Sequence, residues 1–210
     1  MAQPSATRSE PRKTPVQARS TASVDAILQA TVQVLMKVGK EKLTTTLVAA
    51  RAGVSVGTLY QYFPNKSALL RAALKLHAEE ILAEVNKACI EQRGQPAEQM
   101  AEALAVAFLA VKMRDPKKSR ALYAVSSDLE GAEIMASTAV SVNEAIAGLL
   151  RSAPEVMTRD LRLMATVLQS TIAGVKRQLL ESDMAEAQFQ IMQRELVSVV
   201  RGYVRACVAQ

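Results

Sequence analysis

The chain has 210 residues, 50% of them hydrophobic and 22% charged, which is the composition of a globular protein. Two cysteines, Cys89 and Cys207, are too few for a disulfide framework and favour a reducing compartment. The longest uncharged stretch, residues 52–65, is shorter than the ~20 apolar residues that span a membrane, and no apolar secretion signal opens the chain. We therefore expect a cytoplasmic protein that does not enter a membrane.

Charge is distributed unevenly along the chain, whose formal net charge is +6. Residues 1–77 carry 11 Lys and Arg against 3 Asp and Glu, a net +8, whereas residues 78–210 carry 15 against 17, a net −2. A basic first third suggests a polyanionic partner for that part of the chain. The alternative is a basic tail that only aids solubility.

The first predicted segment, residues 1–20, is a disordered basic arm that is rich in proline and small polar residues. From Ser23, apolar residues recur at three- and four-residue steps, which predicts a first helix. Gly39 marks the end of that helix.

Two short helices and one long helix follow. Thr44 caps the first short helix and Gly53 ends it, while Ser55 caps the second and Phe63, which precedes a proline, ends it. Asn65 opens the long helix, whose apolar residues continue on one side to about residue 88.

The remainder of the chain is also predicted to be helical. Five further helices are expected near residues 96–113, 117–127, 132–152, 156–181 and 184–208. No alternating strand pattern is found, so the predicted fold class is all-α with about nine helices. We expect a three-helix domain over residues 21–66 and a second helical domain over residues 67–210.

Residues 44–63 have the layout of a helix-turn-helix, in which two short helices are joined by a tight turn at Gly53. Val54 and Leu59 supply the apolar contacts that hold the second helix. That helix is short and polar, and its outward face suits the major groove of DNA, which is about 12 Å wide. Gly57 allows the backbone to approach DNA closely, and Gln61 can pair with adenine.

Tyrosine hydroxyls and one lysine are candidate phosphate ligands. Tyr60 and Tyr62 carry hydroxyls on rigid rings, although the alternative is that they pack in the core. Lys66 lies in the first turn of the long helix, where a cation opposes the helix dipole unless a phosphate binds beside it.

Residues of about 24–70 resemble the DNA-binding domain of the TetR (tetracycline repressor) family of bacterial transcriptional regulators. The resemblance is carried by Thr44-Thr45, Val48-Ala49, the run Ala52-Gly53-Val54-Ser55, the run from Gly57 to Lys66, and Leu69. It implies a homodimer that binds double-stranded DNA at an inverted-repeat operator and usually represses transcription. The candidate DNA-contacting residues are Thr44, Thr45, Thr46, Ser55, Val56, Gly57, Thr58, Tyr60, Gln61, Tyr62 and Lys66.

The last two helices are candidates for a dimer interface because each carries apolar residues on more than one side. The resemblance implies dimerisation through these helices, and small residues on the first would allow close approach. The candidate interface residues are Leu163, Val167, Ser170, Gly174, Met192, Leu196, Val199 and Tyr203.

The middle helices are candidates for a cavity that binds an apolar small-molecule effector, because methionine suits an adaptable apolar pocket. The candidate lining residues are His77, Phe108, Met113, Tyr123, Met135, Met164 and Gln169. The alternative for each is a plain core position.

We therefore predict an effector-controlled repressor. The rival is a constitutive DNA-binding or architectural protein without an effector. An enzyme is not expected, since one histidine and no phosphate loop leave little acid–base chemistry. We expect no metal and no cofactor, and the basic arm lacks the apolar face of a membrane-binding helix.

Overall fold

A computed structural model describes residues 15–126, 129–182 and 186–209. Across these residues it has nine α-helices: α1 (Pro15–Lys42), α2 (Thr45–Ala52), α3 (Val56–Tyr62), α4 (Lys66–Glu91), α5 (Ala97–Arg114), α6 (Pro116–Ser126), α7 (Leu129–Leu150), α8 (Leu161–Glu181) and α9 (Glu186–Arg205). The only β-pairing in the described residues is an isolated bridge between Met157 and Val208. The predicted all-α fold class is thus confirmed.

The first helix begins earlier than predicted. It starts at Pro15 rather than Ser23, so the part of the predicted disordered arm from residue 15 to residue 20 is helical. Proline is well suited to a first helical position because its φ is already helical and its missing N–H is not needed there. Gly39 interrupts the helical geometry with φ of 77°, as expected, but a further turn continues to Lys42. Residues 1–14 lie outside the described part of the chain.

The predicted helix caps around α2, α3 and α4 are confirmed. The side chain of Thr44 accepts a hydrogen bond from the Leu47 N–H at 3.2 Å, and Asn65 Oδ1 accepts one from the Ala68 N–H at 2.8 Å. Each of these bonds satisfies one of the unpaired N–H groups that open a helix.

Two late helices are shorter than predicted. Helix α8 begins at Leu161 instead of residue 156, because Asp160 Oδ1 accepts the Leu163 N–H at 2.8 Å and caps the helix there. The preceding loop pairs with the end of the chain: the Thr158 N–H donates to the Cys207 carbonyl at 2.8 Å, and the Ala209 N–H donates to the Val156 carbonyl at 2.9 Å. This pairing ends α9 at Arg205 rather than residue 208.

The buried apolar residues form two clusters that meet along α4. We call the first cluster the head core, with α1, α2, α3 and the start of α4 as the head; its buried members are Ile27, Ala30, Val34, Leu35, Leu43, Val48, Ala49, Leu59, Phe63, Leu69, Leu70, Ala73, Leu74, Leu122 and Val125. The second cluster, the C-terminal core, joins the second part of α4 to α5, α7, α8 and α9. The head core extends past residue 66 to Leu74 and includes two residues of α6, so a domain boundary at residue 66 stays a prediction.

Helix α9 is also fixed to α5 by ion pairs. Glu98 accepts hydrogen bonds from Arg205 at 2.7 Å and from Arg201 at 3.2 Å, and Glu102 accepts one from Arg201 at 3.0 Å. These bonds, chiefly those from Arg205, lower the pKa of Glu98 to about 2. No helix in the described ranges is both long and apolar enough to cross a membrane.

Candidate nucleic-acid interface

The turn between α2 and α3 is tight because Gly53 is in the left-handed region, at φ 69°. Its N–H and that of Val54 donate to the carbonyls of Ala50 and Ala49 at 3.4 and 3.1 Å, which closes the end of α2. Leu59 is fully buried in the head core and anchors α3 to it. The predicted helix-turn-helix, with a glycine turn and Leu59 as anchor, is therefore present.

The outward side of this helix pair carries most of the predicted contact residues. Exposed side chains or backbone are found at Thr44, Thr46, Ser55, Val56, Gly57, Tyr60 and Gln61, while Thr45, Thr58, Tyr62 and Lys66 are half-buried. Tyr60 is 48% exposed, whereas Tyr62 packs partly against the head core. Phe63 is buried there. Among the eleven predicted residues, hydrogen bonds join Thr45 to Tyr60 and Ser55 to Thr58, and their contact with DNA stays a prediction.

Two helices present their hydroxyls together. Thr45 Oγ1 at the start of α2 and the Tyr60 hydroxyl in α3 share a hydrogen bond of 3.1 Å. The pair places a hydroxyl cluster at the open end of α2, where unpaired N–H groups also favour an anion. Such a cluster can donate to a phosphate oxygen.

Ser55 has a structural role in addition to any contact. Its Oγ accepts the Thr58 N–H at 2.9 Å and lies 2.8 Å from Thr58 Oγ1. Ser55 thus both caps α3 and fixes the side chain of Thr58, another of the candidate DNA-contacting residues.

Lys66 has a local partner that sequence reasoning missed. Its Nζ donates to the carbonyl of Glu41 at 3.1 Å, in the last turn of α1. A cation is favourable at a helix C-terminus, so this contact compensates for the unfavourable position of Lys66 at the start of α4. A bound phosphate is therefore not required to explain Lys66. The two residues are 25 positions apart, and no local pattern indicates the contact.

Gly57 has open space around its Cα. A Cβ atom there would touch only Ser55 Oγ, at an ordinary distance of 3.7 Å. The protein itself therefore does not need a glycine at this position, and any requirement must come from a molecule that approaches α3 from outside.

The seven candidate effector-binding residues do not line one described cavity. Phe108 and Met164 are buried in the C-terminal core, and Met135 packs partly against the head core. Tyr123 donates to Glu181 Oε1 at 3.3 Å. The side chain of Met113 lies outside the described residues. These positions follow from helix packing, which the apolar pattern alone does not specify.

The two remaining candidates line different cavities. Gln169 lies in an open groove between α7 and α8 and donates to the Ala139 carbonyl at 3.1 Å. His77 lines a cavity of about 330 Å³ between α4 and the α5–α6 connection.

The cavity beside His77 is charged, unlike the apolar pocket predicted. His77 Nδ1 lies 3.2 Å from Glu80 Oε2, and Lys118 Nζ donates to both oxygens of Glu80 at 2.7 and 2.9 Å. Arg114 pairs with Glu84 at 2.6 Å on the same wall. Burial lowers the pKa of His77 although its hydrogen bond to Glu80 opposes this. Sequence reasoning missed Glu80, which lies one turn from His77 on the same helix.

The candidate dimer residues separate into exposed and buried groups. Leu163 and Val199 are 56% and 55% exposed, and Ser170 and Gly174 are also exposed. Val167, Met192 and Tyr203 are half-buried. Leu196 is only 2% exposed and belongs to the C-terminal core, so its assignment to an interface was wrong. The inward side of α9, which packs on α5, carries Phe189, Leu196, Val200 and Val204, whereas Ile191 and Val199 are exposed on its outer side.

Two parts of this chain match known protein domains. Residues 27–73 match the bacterial regulatory proteins of the tetR family, and residues 96–203 match the tetracyclin repressor-like C-terminal domain. The HTH-type transcriptional repressor KstR of Mycolicibacterium smegmatis is 45% identical over 64 residues, which cover 30% of this chain and 31% of KstR. The chain thus aligns with less than a third of that relative.

Solved structures share the whole architecture. FadR of Bacillus subtilis, in complex with stearoyl-CoA, aligns with a TM-score of 0.67 and 18% identity over 86% of this chain and 97% of FadR. SmeT, the repressor of the Stenotrophomonas maltophilia multidrug efflux pump SmeDEF, aligns with a TM-score of 0.66 and 20% identity over 91% of this chain and 93% of SmeT. At these identities the likeness concerns the fold.

Proposed function

Because this chain belongs to the TetR family of bacterial regulatory proteins, we propose that it is a homodimeric transcriptional repressor that binds an inverted-repeat operator. The observation that carries the proposal is the outward face of α2 and α3, where the hydroxyls of Thr45 and Tyr60 meet beside exposed Gln61. Its place of action is the cytoplasm, where its DNA is.

In this proposal α3 enters the major groove. Gln61 reads a base edge, and the open space at Gly57 lets the backbone of α3 approach the DNA. Tyr60 and Thr45 donate to phosphates and fix the position of the head. Val56 is 36% exposed and offers an apolar contact, for which a thymine methyl is the matching group.

Dimerisation follows from the size of the reading surface. One seven-residue helix contacts few base pairs, and two such helices about 34 Å apart read successive turns of the major groove. We propose that the outer sides of α8 and α9 form the interface. They expose Leu163, Ile191 and Val199, together with small residues that allow close helix approach.

We further propose that a small molecule bound in the C-terminal domain releases the DNA. FadR and SmeT, which share the fold, have been solved with stearoyl-CoA and triclosan. The predicted apolar effector stays a prediction. We propose an amphiphilic molecule, in which the apolar body is that of the predicted effector and a charged or polar group matches the charged lining beside His77.

The proposal is tested by selecting duplexes from random DNA with the full chain and measuring binding by fluorescence anisotropy across a salt series. We expect a short inverted repeat, two protomers per duplex and a steep loss of affinity with salt. Gln61→Ala should relax the preference at one position of each half-site, while Gln29→Ala, also exposed in the head, serves as the matched control. Selection of no common sequence would reject the specific repressor in favour of a constitutive, non-specific DNA-binding protein.

The effector is tested with a thermal-shift screen of amphiphiles in matched pairs, each acid beside its neutral amide. A ligand that both raises the melting temperature and weakens operator binding supports the proposal. If every compound that binds leaves operator affinity unchanged, the effector role is wrong while the DNA-binding role stands.

A further inference from the structure

Gly131, in the first turn of α7, occupies the tightest glycine position in the chain. A Cβ atom there would lie 2.5 Å from the carbonyl oxygen of Val125, 2.9 Å from Cα of Ser126 and 3.2 Å from Cδ2 of Leu74. Two of these three atoms belong to the backbone, so a change of side-chain rotamer cannot make room. At the other glycines a Cβ meets at most one atom, at 3.7 Å.

Two of the residues that crowd Gly131 belong to the head core. Val125, at the end of α6, and Leu74, in α4, are both buried in that cluster, and Leu59 of the recognition helix α3 belongs to the same cluster. Helix α7 also packs on α4 and α8. Its first turn therefore joins the C-terminal domain to the head, and at Gly131 no side chain lies between the two.

We propose that Gly131 is a positioning residue that sets the placement of the head on the C-terminal domain, and through it the separation of the two recognition helices in the dimer. A Cβ at this position would force the end of α6 to move by about 1 Å to restore ordinary contact. Packed interfaces respond to such shifts by moving whole elements. Leu74 lies eight residues along α4 from Lys66, about 12 Å at 1.5 Å per residue, so a rotation of α4 at the joint displaces the head that is attached to its first turns.

This inference rests on the proposed repressor function, and its test compares two glycines of the same helix. Gly131→Ala fills the joint, whereas Gly148→Ala in α7 adds a methyl where no atom lies within 4 Å. The probes are the inverted-repeat duplex selected by the wild-type chain, a duplex with one half-site, and a series with altered spacing between half-sites.

We expect Gly131→Ala to bind the inverted repeat roughly tenfold more weakly than wild type and to keep its half-site affinity. Its preferred half-site spacing should shift or broaden. Gly148→Ala should match wild type on all three probes. A merely structural role for Gly131 would lower half-site and inverted-repeat binding together, because both need a folded head.

Two results would overturn the inference. One is equal binding of the inverted repeat by the two glycine variants, and the other is a parallel loss on half-site and inverted repeat. If Gly131→Ala does not fold, the double variant Gly131→Ala/Val125→Ala replaces it, because the smaller side chain at position 125 gives α6 room to shift, and it is measured on the same three probes. If the double variant also fails to fold, Gly131 contributes to stability alone and the inference is wrong. If the wild-type chain selects no inverted repeat, the proposed function fails instead.

Discussion

The bonds that shape the head join residues close in the sequence, whereas those that hold α9 in the C-terminal domain join distant ones. Ser55 and Thr58 are three positions apart, and Thr45 and Tyr60 are 15 apart. Arg201 and Glu98 are 103 positions apart. The head therefore carries its reading surface in one continuous motif. The C-terminal domain places its surfaces through the packing of helices that are remote in the sequence.

The largest expected effect is a loss of stability that shows which side of α9 is buried in the C-terminal core. Leu196→Ala removes a buried side chain from the C-terminal core and should lower the free energy of unfolding by about 2–5 kcal/mol. Val199→Ala, one turn away and 55% exposed, should leave the protomer fold intact and weaken only the dimer. Chemical denaturation at fixed protein concentration and sedimentation equilibrium measure the two effects.

A reversal of these two results would show that α9 is rotated relative to the structure. If neither variant loses dimer affinity, the dimer interface lies elsewhere.

The next prediction compares two glycines with a positive φ, one in each region. Gly53 and Gly94 have φ of 69° and 78°, and neither has an atom within 4 Å of an added Cβ. Each change to alanine should therefore cost about 1–2 kcal/mol of stability for the positive φ alone. Only Gly53→Ala should also weaken operator binding by the folded protein, because Gly53 sets the angle between α2 and α3.

Thermal melts and anisotropy titrations of both variants provide the measurement. Equal operator affinity for Gly53→Ala and Gly94→Ala would mean that the turn angle is not what the DNA reads.

The sequence predicts contacts between residues that are close along the chain better than contacts between remote residues. The caps at Thr44, Ser55 and Asn65 use bonds to residues three positions on, and all three were predictable. The Lys66 contact with Glu41 was not, because it needs α1 and α4 to be placed side by side.

In the C-terminal domain the apolar patterns predicted the number of helices but not which face of α9 is buried. Leu196 and Val199 are both apolar residues of the last helix and were both candidate interface residues, and only the packing of α9 on α5 separates the buried one from the exposed one. The charged character of the cavity beside His77 was missed for the same reason: Lys118 reaches Glu80 from another helix, 38 positions away.

A smaller effect tests the hydroxyl pair of the head. Tyr60→Phe removes the hydrogen bond to Thr45 and one donor to phosphate, so operator binding should weaken by about 1 kcal/mol, roughly fivefold. The loss should be equal for all operator sequences, since a phosphate contact carries no base information. Tyr123→Phe, which removes a hydroxyl that donates to Glu181, is the control in the other region.

Anisotropy titrations on the selected operator and on a scrambled duplex distinguish the roles. A loss confined to the selected operator would instead make Tyr60 a base-reading residue.

The smallest effect is a pH dependence of stability that one residue controls. His77 is the only histidine of the chain, and burial lowers its pKa below the ordinary value of 6.5 despite the opposing bond to Glu80. The neighbouring cations Lys118 and Lys176 lower that pKa further. The unfolded chain therefore binds a proton at His77 before the folded protein does, so stability is full above pH 6.5 and falls as the pH drops through the folded-state pKa. Urea unfolding between pH 7.5 and 5 should show this decline in wild type, and His77→Gln should flatten it whatever its own effect at pH 7.5. A decline that persists unchanged in His77→Gln would move its origin to other groups. Glu98 does not supply it, because the pKa of its carboxyl is 4.5 ordinarily and about 2 in the folded protein, so its contribution is lost only below the pH range measured.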